Sequence, residues 1–333
     1  MRRFAGIGLG LAVIVATFIF VLPRIADYRD VWDVVTQLSW PELGALVLVT
    51  VVNLATFAPP WQAALPGLRF LDAFALTQAV SASTYIAPGG PAVGLALAYG
   101  MLRRRFPRKA VTLAMALTTV WGQFALLGLP SVALVLLTLS GEKHALLQTV
   151  AFVGLGIFVV AAGAYAAGLF SARLARWVGN MAARITTWGL RHARKEPVKW
   201  SGETFAEFRR DAIGLLRHRW HILTLATLAG HLTVFSVLLV SLRVFDVTAG
   251  EVSLVEAFAA WSLIRLLGSL PITPGGLGVI ELGLTTALVG FGGANAEVVA
   301  AVLVYRFLTL VPTLLLGLVA GVTWRRRFPV PSP

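Results

Sequence analysis

Six ionisable side chains, Asp72, His231, Glu256, Arg265, Glu281 and Arg306, lie inside stretches otherwise built almost wholly of aliphatic, aromatic and small residues. A charge at the centre of an inserted apolar helix costs about 2.5–3.5 kcal/mol, so each of these groups needs a partner or a water-lined cavity. Glu281 comes three residues after the end of Pro274-Gly275-Gly276-Leu277-Gly278, and Tyr305-Arg306 lies in the last apolar run. Two pairings are open, Glu281 with Arg306 and Glu281 with Arg265. Such a pair would fix helix register as a buried ion pair. If the arginines instead meet a ligand, phosphate is the natural one, because guanidinium binds it through two parallel N–H bonds.

Other chemistry has little to work with. The five histidines, His144, His192, His218, His221 and His231, form no HExxH pair and stand beside no carboxylate cluster, so no metal site is expected. The absence of cysteine removes disulfides, thiolate metal ligands and a Cys nucleophile. There is no P-loop, no GxSxG and no dinucleotide fingerprint, so neither ATP-driven pumping nor a familiar hydrolase is supported, and no catalytic residue or cofactor is assigned.

The elements that must position these residues are membrane helices. Of 333 residues, 58% are hydrophobic and 13% charged, with a mean hydropathy of +0.82, a composition foreign to soluble chains. The net charge of +13 fits basic loops against an anionic leaflet better than nucleic acid. Crossing ~30 Å of hydrocarbon takes about 20 apolar residues. Such runs occur at Ala5–Leu22, Trp40–Ala58, Thr112–Leu139, Leu146–Phe170, Ile222–Leu242 and Val298–Thr323. Arg2 and Arg3 before the first run resemble a signal peptide. The run is long, however, and ends in Leu22-Pro23-Arg24 without a small-x-small cleavage site, so it is expected to stay as a span.

Two further apolar stretches, Leu71–Leu102 and Leu254–Phe291, are broken by Pro88-Gly89-Gly90 and Pro274-Gly275-Gly276. Proline removes an amide donor, and non-helical backbone at membrane depth survives only inside protein or beside water. Both stretches therefore read as interrupted, re-entrant helix pairs. Placing the N-terminus in the cytoplasm leaves only Arg24, Arg29, Lys143 and Arg243, among the loop cations, on the outside. That topology requires each pair to enter and leave on one side, the Pro88 pair from the cytoplasm and the Pro274 pair from outside.

The halves are then inverted. Gly/Pro-broken segments at corresponding places in inverted halves point to a transporter-like site near the midplane. Alternatively, the breaks are two independent turns in packed helices. The expected architecture is an all-α polytopic membrane protein with six full spans and two interrupted pairs. One integral domain, 1–333, comprises a first half 1–170, a basic amphipathic cytoplasmic loop 171–220 and a second half 221–324. Candidate substrate-binding residues are Pro88, Gly89, Gly90, Arg265, Pro274, Gly275, Gly276, Gly278, Glu281, Tyr305 and Arg306. Half-helices starting near Pro91 and Leu277 would turn free amides toward an anionic headgroup.

Leu270-Pro271-Ile272-Thr273-Pro274-Gly275-Gly276-Leu277-Gly278-Val279-Ile280-Glu281, followed by Tyr305-Arg306, resembles the lysylphosphatidylglycerol synthase transmembrane-region family, the flippase-like domain. The motif is specific in the C-terminal third, and the outline of spans matches along nearly the whole chain. The resemblance implies a multi-pass α-helical domain that, in aminoacyl-phosphatidylglycerol synthases, moves the modified lipid between leaflets. Many relatives carry an acidic residue and an arginine after the first Pro-Gly-Gly. Gly94 and Leu97 stand there in this chain, so no role of that charged pair carries over. No aminoacyl-transfer domain precedes Pro333, so the chain is expected to handle a lipid made elsewhere and not to make one.

In the long loop, Leu174, Trp177, Val178, Met181, Ile185 and Trp188 recur at helical spacing, with Arg173, Arg176, Arg184 and Arg191 mostly opposite, as in a helix lying on anionic headgroups. A second helix is expected from a capping box at Thr204-Phe205-Ala206-Glu207. Gly6/Gly10 and Gly317/Gly321 have the spacing of close helix contacts, within the chain or in a homo-oligomer. Two functions remain. One is an ATP-independent translocase for a lipid with a polar, anionic or phosphate-bearing headgroup, in the plasma membrane with both termini cytoplasmic. The other is a membrane-embedded enzyme or accessory subunit acting on phospholipids or lipid-linked sugars, alone or beside a separate lipid-modifying enzyme.

Overall fold

A computed structural model describes residues 36, 38–86, 90–139, 145–192, 201–270 and 274–327. The proposed first span Ala5–Leu22, the Gly6/Gly10 pair, and Pro88 and Gly89 of the first break lie outside the described residues. Among the described residues the secondary structure is helical. The helices are α1 (Trp40–Thr56), α2 (Pro59–Ala64), α3 (Phe70–Ile86), α4 (Gly90–Leu102), α5 (Arg108–Leu139), α6 (Ala145–Phe170), α7 (Ala172–His192), α8 (Gly202–Val244), α9 (Leu254–Gly268), α10 (Val279–Phe291) and α11 (Asn295–Arg327). A one-turn 3-10 segment, Pro274–Gly276, separates α9 from α10. Four stretches, Trp40–Ala64, Arg108–Leu139, Gly202–Val244 and Asn295–Trp324, are long and apolar enough to cross a membrane. This is an integral membrane architecture.

The two interrupted stretches each fold back on themselves. In the first, α3 and α4 pack antiparallel, and a Cβ on Gly94 would meet Thr84 Oγ1 at 3.0 Å and Val80 at 3.2 Å. In the second, a Cβ on Gly283 would come within 2.9 Å of Ile264, and one on Gly268 within 2.6 Å of Ile280. Small residues let the backbones approach, which is how membrane helices gain packing energy where lipid offers no hydrophobic drive.

The hairpins enter from opposite ends of the bundle, and the long helices record this. Hydrophobic burial divides into two cores. One gathers Leu76 of α3, Ala98 and Leu102 of α4, Val111 to Leu117 of α5, Ala212 to Leu223 of α8 and Trp324 of α11. The other gathers Leu129 to Leu137 of α5, Val234 to Leu242 of α8, Ala257 to Trp261 of α9, Leu284 and Leu288 of α10, and Val298 to Tyr305 of α11. Thus α5 and α8 run parallel from the first core to the second, and α11 returns. Along α11 the neighbours change in order. Val298 lies against Gly293 below the second hairpin, Arg306 reaches its tip, Gly317 is pressed against Gln78 and Ala82 of the first, and Trp324 meets Arg105 at its base.

The base of the first hairpin is closed by charge. Asp72, 3% exposed, accepts from Arg105 Nη1 at 2.6 Å and from Arg69 Nε at 3.1 Å, and Arg105 lies 5.6 Å over the Trp324 ring. At the base of the second, Ser253 and Glu256 form a reciprocal capping box at the start of α9, with Ser253 N–H donating to Glu256 Oε2 at 2.7 Å. Arg243 Nη2 donates to the Val252 carbonyl at 2.9 Å. Asp72 and Glu256 are therefore structural groups.

The amphipathic stretch forms α7. Its small side, Ala175, Gly179 and Asn180, packs on the start of α8, where Asn180 Oδ1 accepts from Gly202 N at 2.8 Å. Trp177, Met181, Ile185 and Trp188 are exposed along the other side. The next helix starts earlier than Thr204. Ser201 is the N-cap, and Thr204 is the third helical position, its hydroxyl accepting from Ser201 N–H at 3.3 Å.

Candidate functional site

The second break is built by glycine. Gly275, Gly276 and Gly278 have φ of 64°, 67° and 80°, a left-handed region open to glycine and strained for other residues. Three such positions in four residues reverse the chain between α9 and α10 within one short segment. Pro274 opens the 3-10 turn.

Glu281 and Arg306 hold this turn. Glu281 sits in the first turn of α10, and its Oε2 accepts from Gly278 N–H at 2.7 Å, capping the helix with its own carboxylate. Its Oε1 accepts from Arg306 Nε at 2.6 Å. Arg306 Nη2 donates to the Gly275 carbonyl at 3.0 Å. Both residues are buried, Glu281 to 3% exposure and Arg306 to 7%. The pair is mutually neutralised, and it fastens the tip to α11 through two backbone groups as well as through charge. Among the described residues, Arg306 Nη1 takes no acceptor.

Of the two pairings open in the sequence, Glu281 takes Arg306. Arg265 instead lies 5.4 Å over the Trp261 ring. Trp261, 1% exposed, donates its Nε1–H to Tyr305 Oη at 3.3 Å, and it packs against Phe235 and Phe258. Trp261 thus links Arg265 on α9 to Tyr305 on α11. Tyr305, a neighbour of Arg306 in sequence, braces α9 against α11.

The second break approaches the end of α3. A Cβ on Gly275 would stand 3.0 Å from Tyr85 Cδ1, and Tyr85 precedes Pro88 by three residues in the sequence. Gly90 opens α4 so close to the Thr84 carbonyl that no side chain fits. The sequence did not reveal Tyr85, since an exposed-looking aromatic near a helix end carries no signal until the opposite hairpin is in place.

Polar groups continue away from the tips. Asn53 Nδ2 donates to Thr233 Oγ1 at 3.3 Å, Thr56 and Thr233 hydroxyls are 2.7 Å apart, and Gln78 Nε2 donates to the Leu54 carbonyl at 3.2 Å. His231, 8% exposed, meets the Phe57 ring edge-on at 6.2 Å, and its Nδ1 finds no partner among the described residues. No group of three His, Asp or Glu that could hold a metal ion gathers among the described residues.

In comparison with known proteins, a family described as the lysylphosphatidylglycerol synthase TM region matches residues 7–317. No curated protein matches the chain.

Proposed function

Because the chain belongs to the lysylphosphatidylglycerol synthase TM-region family, membrane domains associated with phospholipid modification and translocation, we propose that it is an ATP-independent lipid translocase. Its cargo is a lipid with a polar, anionic or phosphate-bearing headgroup. The observation that carries this reading is the meeting of two oppositely inserted hairpin tips, Gly275 against Tyr85, beside the buried Arg306–Glu281 pair. Irregular backbone of this kind at membrane depth belongs beside a polar pathway.

In this reading the headgroup crosses between the tips while its tails stay in lipid. Arg306 Nη1 and the Arg265 guanidinium supply N–H donors to phosphate oxygens. Glu281 keeps Arg306 in place and lowers the net charge left when the cargo departs. The basic end, with Arg103–Arg105 and Arg217–Arg219, faces the cytoplasm of a plasma-membrane protein. There α7 lays Trp177, Met181, Ile185 and Trp188 into the headgroup boundary with its arginines on anionic lipid. A separate lipid-modifying enzyme supplies the cargo.

The test is reconstitution into vesicles of phosphatidylethanolamine and phosphatidylglycerol carrying a fluorescent phosphatidylglycerol, with loss of inner-leaflet fluorescence to an impermeant quencher as the readout. Exchange faster than in empty vesicles, with the lipid's mass unchanged, supports the translocase. A lipid of altered mass would replace it with an enzyme.

A further inference from the structure

Among the described residues, Arg265 is a cation at membrane depth without a counter-charge. It stands eleven helical steps into α9, about 16 Å from the start of that helix, against ~30 Å for the whole hydrocarbon layer. The three carboxylates of the hairpins are engaged elsewhere, Asp72 by Arg105 and Arg69, Glu256 by Ser253 N–H, and Glu281 by Arg306 and Gly278 N–H. Arg265 itself donates to no acceptor among the described residues. Its nitrogens are nonetheless open, since the residue is partly exposed and none of them is among the side-chain atoms buried without a partner. A lone charge at this depth is costly, so it marks a place that water or an anion enters.

What Arg265 does have is a platform. Its guanidinium carbon lies 5.4 Å over the ring of Trp261, one turn back on the same helix face. Trp261 is held from several sides. It is 1% exposed, its Nε1–H donates to Tyr305 Oη at 3.3 Å, and the Phe235 and Phe258 rings stand 5.5 and 5.9 Å from its own. The indole attracts the cation through its π face, which uses up none of the N–H donors, so a charged fork is kept in one place with its hydrogen bonds unspent. Such a planar fork fits two oxygens of one anion.

We infer that Trp261 is a positioning residue that sets headgroup specificity, presenting the Arg265 guanidinium so that a phosphate ester binds and a lipid without phosphate does not. Tyr305 contributes by anchoring the indole and not by touching the ligand. The inference rests on the lipid reading above, in which phosphate is the anion that every phospholipid carries next to its tails. A soluble phosphate ester has the same chemistry, and the experiment separates the two sources. It is read out by binding and not by transport.

The experiment titrates the full chain in dodecyl maltoside micelles with short-chain phosphatidylglycerol, glucosyl diacylglycerol and glycerol 1-phosphate, reading the heat of binding. Phosphatidylglycerol should bind, and the phosphate-free glucosyl lipid should bind at least about tenfold more weakly. Arg265→Gln should weaken phosphatidylglycerol about tenfold or more, the worth of a hydrogen bond to a charged group. Trp261→Leu should weaken it about two- to fivefold, the scale of a cation–π contact, and Trp261→Phe, which keeps an aromatic face, should recover part of that loss. The variant carrying both Trp261→Leu and Arg265→Gln should bind no more weakly than Arg265→Gln alone. A further loss there would make Trp261 a packing residue and overturn its positioning role. Arg265→Lys tests the fork without touching the core, since it keeps the charge and loses the planar donors. Parent-like binding in that variant, or equal binding of the glucosyl lipid, would overturn the phosphate specificity. Glycerol 1-phosphate binding as tightly as the lipid would keep the site and make its ligand a soluble ester, and much weaker binding would assign it to the lipid. Arg265-dependent binding without leaflet exchange in vesicles would refute the translocase and leave the site standing. Exchange by a protein whose binding ignores Arg265→Gln would do the reverse.

Discussion

Arg306 donates to Glu281 at 2.6 Å and to the carbonyl of Gly275 at 3.0 Å, so one side chain on the last helix holds both the non-helical turn and the helix that follows it. Removing either charged partner leaves the other buried and alone, which typically costs about 3–5 kcal/mol. Glu281→Ala and Arg306→Ala should each lower the detergent melting temperature markedly, and the double variant should lose less than the sum of the two. Additive losses in that double-mutant cycle would mean that the pair is not coupled.

Arg306→Lys separates geometry from charge. Lysine keeps a cation for Glu281 but cannot also span to the Gly275 carbonyl in the same planar arrangement. Stability should fall by roughly 1 kcal/mol, the scale of one hydrogen bond, while leaflet exchange falls further than stability explains. Full exchange in this variant would take the guanidinium out of the pathway.

Gly275→Ala meets two obstacles, a φ of 64° and Tyr85 Cδ1 3.0 Å from the new Cβ. The first alone costs roughly 1–2 kcal/mol. Adding Tyr85→Ala should recover only the steric part, so the double variant should melt between Gly275→Ala and the parent. Complete recovery would show that the backbone at the tip is not held left-handed.

Much of this arrangement could be read in the sequence, because apolar run length fixes where a chain can cross and Pro-Gly-Gly marks where a helix must stop. The Glu281–Arg306 pairing was legible only as one of two choices, since Arg265 and Arg306 are equally available until α9 and α11 take their register. Trp261–Tyr305 and Tyr85–Gly275 were not legible at all, being contacts between residues far apart in the chain. Thr204 was readable as part of a capping box but not as its third position, because Ser201 offers the same hydroxyl three residues earlier. Asp72 and Glu256 stood out as charges in apolar runs, and in the structure both secure hairpin bases.

Inverted hairpins predict opposite access to their bases. The natural lack of cysteine allows single reporters at Arg104→Cys and Gly250→Cys, both exposed. An impermeant maleimide added to intact cells should label position 250 and spare position 104. Labelling of both, or of 104 alone, would refute the inverted arrangement. Gly276 is a poor reporter site, because a Cβ there would stand 2.8 Å from Ile280 and φ is 67°.

The base of the first hairpin should be sensitive to Asp72→Asn. This loses the charge that accepts from Arg105 at 2.6 Å, while the Arg69 contact, with Arg69 largely exposed, adds little. The expected loss is roughly 1.5–3 kcal/mol, as for a hydrogen bond to a charged group, seen as a lower melting temperature. An unchanged melting temperature would show that the hairpin base does not depend on this charge.

The most direct test of the central claim is the rate of phosphatidylglycerol exchange between leaflets of proteoliposomes, measured for the parent and for Arg306→Lys at matched protein content. A translocase built on the meeting tips predicts exchange well above empty vesicles in the parent, a large fall in the variant, and a lipid of unchanged mass throughout. Parent vesicles no faster than empty ones, across phosphate-bearing and zwitterionic lipids alike, would contradict it.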